Sequence, residues 1–335
     1  MIRKLLCLIT CIIFYSQIFA QQSAAVKQKK HNIFFLKNNG RYVNERDSAD
    51  YICVISEPDS GSTLYGANEF YKDGKQKFIG KSSKSEYLSP EGQCICYFPN
   101  GNKKSVEEYK EGKLDGICYY FYPNGKIYVS KEFHQTEAKG NSVTGDINSD
   151  YFIKDCIDST GKVMVKEGKG HFMGYDDDFK YIEEEGPINK GVRDSIWAGR
   201  DVGAKITFTE QYVEGKLISG VSTDSTGVKY TYTQRMVAPQ YKGGAKALYE
   251  YLGTHIRYPD NAKRNDVQGT VILGFVVKKD GTVKDVKVIK SADAELDKEA
   301  LRVVNNSKGW QPAMYYGKPA NIYYSIPINF ALSQN

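Results

Sequence analysis

The chain has 335 residues, a net charge of +6, 26 tyrosines, 31 glycines and only 10 prolines. That length suggests two or three domains, and many aromatics with many glycines favour short strands and tight turns. The basic excess is mild and gathers in residues 240–335 (14 Lys and Arg against 9 Asp and Glu); no Lys/Arg stripe is interleaved with aromatics, which argues against a nucleic-acid partner.

The chain opens Met1-Ile2-Arg3-Lys4 and then runs apolar from Leu5 to Ala20. A basic start, an apolar run and a small residue before Gln21 read as a secretory signal peptide over residues 1–20, which sends the protein to the periplasm. The competing reading is an uncleaved inner-membrane anchor, although the run is short for a bilayer span and Ser16 and Gln17 interrupt it. Residues 21–60 form an N-terminal segment. Beyond the leader lie Cys53, Cys94, Cys96, Cys118 and Cys156, an odd number with no CxxC pair, so redox and zinc roles lack support.

Residues 61–235 read as a mostly-β repeat domain. The segment from Glu91 through Tyr97-Phe98-Pro99-Asn100-Gly101 returns 24 residues later from Asp115 through Phe121-Tyr122-Pro123-Asn124-Gly125. Weaker copies surround Asp73-Gly74 and Glu214-Gly215. Asn-Gly and Asp-Gly suggest two-residue hairpin turns, and a lone hairpin cannot bury its apolar face, so the hairpins must stack into a meandering sheet. Repeat-equivalent Cys94 and Cys118 then lie two strands apart, about 10 Å at ~4.8 Å per strand, too far for a disulfide. The region resembles YwqK-type repeats, relatives of the MORN motif.

Residues 236–335 change character. Gly244–Leu252 has helical spacing, with Ala245, Leu248, Tyr249 and Leu252 on one side. Tyr258-Pro259 opens a second short helix. Gly269–Lys278 reads as a buried strand through Val271, Leu273, Phe275 and Val277, and Asp280-Gly281 turns it into a partner over Thr282–Lys290. Asp293 caps a helix whose apolar face is Leu296, Ala300, Val303 and Val304. The last strand alternates, with Ile322, Tyr324, Ile326, Ile328 and Phe330 on one side, and Pro327 inside it suits an edge. The expected fold is an α+β domain: a three-stranded antiparallel sheet with helices on one face.

No catalytic constellation emerges. Gly80-Lys81-Ser82 lacks the first glycine of a phosphate loop, and Asp146–Asp150 lacks the glycine and glutamate of a calcium loop. Asp176-Asp177-Asp178 reads as a solvated loop. His31, His134, His171 and His255 have no metal-ligand spacing, and no Gly-x-Ser-x-Gly occurs. Trp197 and Trp310 read as packing residues. No enzyme activity, cofactor or metal is expected.

The C-terminal residues match a family in order and spacing. Tyr258-Pro259, Gly269-Thr270-Val271, Asp280-Gly281-Thr282-Val283, Leu296-Asp297, Trp310-Gln311-Pro312, Gly317-Lys318-Pro319 and Ile326-Pro327-Ile328-Asn329-Phe330 together resemble the TonB C-terminal domain, from Pro239 to about Leu332. The resemblance implies β-augmentation, in which a TonB-box peptide of an outer-membrane receptor joins the last strand. By matching, that edge is Asn321, Ile322, Tyr323, Tyr324, Ser325, Ile326, Pro327, Ile328, Asn329 and Phe330. Further contacts fall on His255, Ile256, Arg257, Tyr258 and Pro259, where both glutamines of the family's stretch are absent.

The function expected is periplasmic: binding of TonB-dependent receptors in, or as an adaptor for, energy-coupled transmembrane transport. The alternative is a structural envelope protein whose repeat surface binds peptidoglycan or a partner protein. Inner-membrane motor proteins and a second copy of the chain are the remaining partners considered.

Overall fold

A computed structural model describes residues 30–135 and 151–332. The signal segment and the Asp146–Asp150 motif lie outside them, and no described helix is long and apolar enough to cross a membrane. The chain divides into two compact units, one up to Asp115 and one from Gly116 onward.

The first unit is an antiparallel meander. His31–Leu36 pairs with Tyr51–Ser56, which pairs with Tyr65–Tyr71; Gln76–Ser82, Pro90–Tyr97 and Lys103–Lys110 follow in order. The sheet therefore begins well before the expected residue 61. Tyr51–Ser56 explains why: its side chains alternate between buried and half-buried, as a sheet strand requires.

The turns correct one expectation and explain it. At Asp73-Gly74, Asn100-Gly101 and Asn124-Gly125 only the glycine has positive φ (84°, 88° and 83°). The Asp or Asn side chain instead accepts a hydrogen bond from the amide two residues on, at 3.1, 3.0 and 3.0 Å. These are three-residue loops, a turn followed by a left-handed glycine. Two-residue turns occur at Glu111-Gly112, Glu167-Gly168, Lys190-Gly191 and Glu214-Gly215, where both residues have positive φ.

The second unit continues the pattern from Gly116–Phe121 to Lys229–Tyr232. Its buried face holds Tyr122, Tyr128, Ile153, Val165, Phe172, Ile188, Trp197 and Tyr212. Wide rings fit because glycines lie beneath them: a Cβ on Gly186 would come within 2.4 Å of Trp197, and one on Gly220 within 2.3 Å of Tyr232. Among the described residues none of the five cysteines is disulfide-bonded. Burial pushes the Cys94 and Cys96 thiols up to about 11 and the Cys53 and Cys156 thiols up to about 12, which suits packing rather than reactivity.

The α+β domain follows within the same unit. Helix α1 spans Gly244–His255, the short α2 Asp260–Arg264 and α3 Ala294–Asn305. Strands β1 (Gly269–Val277), β2 (Val283–Lys290) and β3 (Ile322–Phe330) form one antiparallel sheet in the order β2-β1-β3. Val271, Leu273, Phe275 and Val277 of β1 are fully buried against Leu252 of α1 and Leu296, Ala300, Val303 and Val304 of α3. The Asp293 carboxylate accepts from the amides of Glu295 and Leu296, the expected N-cap. Trp197 and Trp310 are both buried.

Phe275 has no exposed surface and meets the Trp310 ring edge-on at 5.2 Å. Phe275→Ala in the full chain is expected to cost about 3–5 kcal/mol in urea denaturation. A loss below about 1 kcal/mol would mean that this face of β1 is not the core.

Candidate functional site

β3 pairs with β1 from Gly269 opposite Phe330 to Val277 opposite Ile322, without a register shift. Its other side has no strand partner among the described residues. Ile326, Ile328 and Phe330 point into the core, while Tyr323, Ser325, Pro327 and Asn329 are exposed. Pro327 lacks an amide hydrogen and yet sits in an unshifted ladder, which fits the outward-facing set of backbone groups. By alternation, Tyr323, Ser325 and Asn329 belong to that same outward set. The segment 321–332 carries no charge.

The opposite edge is built differently. Lys284, Lys287 and Lys290 of β2 are exposed, and two register shifts interrupt its pairing with β1. Asp285 takes φ 57° at one of them. Lysines and bulges repel an incoming strand; β3 has neither, and Pro327 removes one donor from its outward row.

A groove of about 740 Å³ runs beside that open edge. One wall is Tyr323, Tyr324, Ser325, Ile326 and Pro327, and the other is the Ala245, Leu248, Tyr249 and Leu252 side of α1. The sequence pattern puts these four α1 residues on one apolar face. Only Leu252 is fully buried; Leu248 is half-buried, Ala245 is exposed and Tyr249 is 65% exposed. The stripe is wider than the core it covers, and its remainder overhangs the space beside β3. Tyr241 and Trp310 line the groove floor, and no lining residue is charged. Sequence reasoning missed Gln240, Tyr241 and Trp310 as lining residues, because only the folded chain brings them beside the last strand.

The segment 255–259 is engaged elsewhere and does not line this groove. The His255 ring stacks on Tyr251 at 4.2 Å, and its carbonyl accepts from Arg302 at 2.7 Å. Ile256 packs on the core. The Arg257 amide donates to Glu299 at 2.6 Å. The hydrogen bond from Arg302, with that amide, holds the Glu299 carboxyl below its ordinary range. The Tyr258 hydroxyl donates to the Val267 carbonyl, and its ring meets Phe330 at 5.8 Å. Pro259 precedes α2 as its cap residue.

Comparisons with known proteins find similarity in this domain. The family model for the Gram-negative bacterial TonB protein C-terminal matches residues 254–332. Protein TonB of Haemophilus influenzae is 39% identical over 89 residues, covering 26% of this chain and 31% of that protein. Protein TonB of Pasteurella multocida is 32% identical over 88 residues, covering 26% and 33%. Protein TonB of Helicobacter pylori is 31% identical over 81 residues, covering 24% and 27%. The chain thus spans about a third of the length of the curated relatives it matches. A solution NMR structure of Helicobacter pylori TonB-CTD covers 26% of this chain and 79% of its own, at 24% identity and a TM-score of 0.22.

An open edge has a signature in amide exchange. The amides of Tyr323, Ser325 and Asn329 are expected to exchange much faster than those of Tyr324, Ile326 and Ile328. Uniform slow exchange along 322–330 in the monomeric full chain would mean that the edge is already covered.

Proposed function

We propose that this chain, with residues 254–332 matching the TonB C-terminal family, is a TonB-like component of energy-coupled transport across the outer membrane. Its β3 edge binds a short extended segment of an outer-membrane receptor as a fourth strand. The observation that carries this reading is the pairing of an unguarded, uncharged edge with an overhanging apolar helix face.

The two halves of that observation do different work. The outward backbone groups of Tyr323, Ser325 and Asn329 supply hydrogen bonds to any extended peptide, and so give affinity without selecting sequence. Selection falls to the groove. In an added strand every second side chain would point toward Ala245, Leu248 and Tyr249, so an apolar residue there buries surface. A charged one would lose its hydration without finding a partner. Asn321–Phe330 is thus the proposed site, with His255–Pro259 holding α1 against α3 rather than touching the peptide. The signal segment read from residues 1–20 supports a periplasmic setting.

The test is binding of a peptide from the N-terminal plug segment of an outer-membrane receptor, followed by calorimetry or NMR on the full chain. Ser325→Pro removes one outward donor and is expected to weaken binding roughly tenfold, about 1.4 kcal/mol, while leaving the melting temperature nearly unchanged. Leu248→Lys places a charge in the groove and is expected to weaken it at least as much. Equal affinity in the unmodified protein and both variants would refute the site.

A further inference from the structure

We propose that the 313–320 hairpin of the C-terminal domain is the terminal cap of the second unit's repeat strands, locking that domain onto them so that β3 is held in a fixed orientation within the unit. This inference goes beyond the binding role of β3 and does not depend on it.

A stack of hairpins ends in an edge that must be closed, and repeat arrays close it with an atypical terminal element. Among the described residues the last repeat strand, Lys229–Tyr232, is paired with Lys216–Asp224. The chain then leaves through Arg235, and Met236 and Val237 pair with Tyr315 and Met314 of the hairpin. The hairpin's turn lies against the free side of the last strand. Gly317 has φ 76°, and a Cβ there would stand 2.7 Å from the Thr231 carbonyl, so only glycine fits.

Contacts on both sides of the turn fix it. The Tyr316 ring stacks on Phe208 at 5.0 Å and meets Tyr232 edge-on at 5.5 Å. Its amide donates to the Arg235 carbonyl at 2.6 Å, and its carbonyl accepts from the buried Ser222 hydroxyl at 2.7 Å. Lys318 pairs with Asp224 at 2.7 Å, and the Tyr315 hydroxyl donates to Asp201.

Beneath this contact lies a buried charge cluster. Arg235 forks onto both carboxylate oxygens of Glu210, at 2.8 and 2.6 Å, and reaches Glu184 at 3.0 Å. Glu210 is fully buried and also accepts from Tyr212 and Tyr232, at 3.0 and 2.8 Å. Arg193 completes the cluster on Glu184. The Tyr316 ring covers this cluster, with the Arg235 guanidinium 5.4 Å from its centre, so swinging the hairpin away opens the buried charges to water and breaks the Lys318–Asp224 pair.

The experiment is a distance measurement by double electron–electron resonance on the full chain. Labels carried on unnatural amino acids replace Ile196 on the repeat sheet and Ile289 on β2, both 54% exposed. A control pair at Ile196 and Ile218 lies wholly within the repeat sheet. The expected result is a single distance for the 196–289 pair, no broader than the control. In Tyr316→Ala/Lys318→Ala the distribution is expected to broaden at least twofold, with β3 amide protection unchanged. A broad distribution in the unsubstituted chain overturns the proposal whether or not the variant folds. A distribution that stays narrow in a folded variant shows that the hairpin is not the lock, and overturns it as well.

Discussion

A three-stranded sheet has two edges, and every edge exposes a row of unpaired N–H and C=O groups that another strand can claim. This constraint organises the C-terminal domain. On β2 the problem is met with lysines, two register shifts and a residue in left-handed conformation. On β3 none of these devices is present, and a groove lies alongside instead. Three lysines would have sufficed to close β3 as they close β2. The asymmetry between two edges of one small sheet is the ground on which β3 is proposed as an interaction strand.

The buried core explains how β3 remains available without unfolding. β1 is central, buried on its helix-facing side and fully paired along β3. Ile326, Ile328 and Phe330 anchor the inner face of the last strand in that core. The outer face is also furnished: a Cβ on Gly274 would collide with the Tyr323 hydroxyl, so the tyrosine ring lies across the glycine beside Ile289. The strand is held from both faces and left free only along its edge. On the proposed reading a peptide adds to it without a prior conformational change, which keeps the ordering cost on the peptide.

Much of this was legible in the sequence. Alternation from Ile322 to Phe330, the Asp293 cap and the apolar face of α3 are local patterns, and local patterns survive folding. The hairpin repeat was legible too, but its turn chemistry was not. Asn-Gly is compatible with a two-residue turn and with a three-residue loop, and the side-chain bond from Asn100 to the Asn102 amide decides it. The α1 stripe was read correctly as apolar, but a helical pattern cannot say how much of itself the core will cover. That is why Tyr249 emerges as a groove wall rather than a core residue. Residues 255–259 were inferred through resemblance alone, and their partners Glu299 and Arg302 lie more than 40 positions away. The contact between Ser222 and Tyr316 spans 94 residues and leaves no local trace.

The central claim is that β3, and not the guarded edge or the repeat surface, meets the receptor. Site-specific photo-crosslinking in living cells tests it most directly. A photoreactive residue is placed in turn at Ser325 on β3, at Lys287 on β2 and at Ile196 on the repeat sheet, and the adducts are identified by mass spectrometry. The account predicts adducts to the N-terminal segment of an outer-membrane receptor from position 325 and none from position 287 or 196. Receptor adducts from 287 or 196 with none from 325 would contradict it.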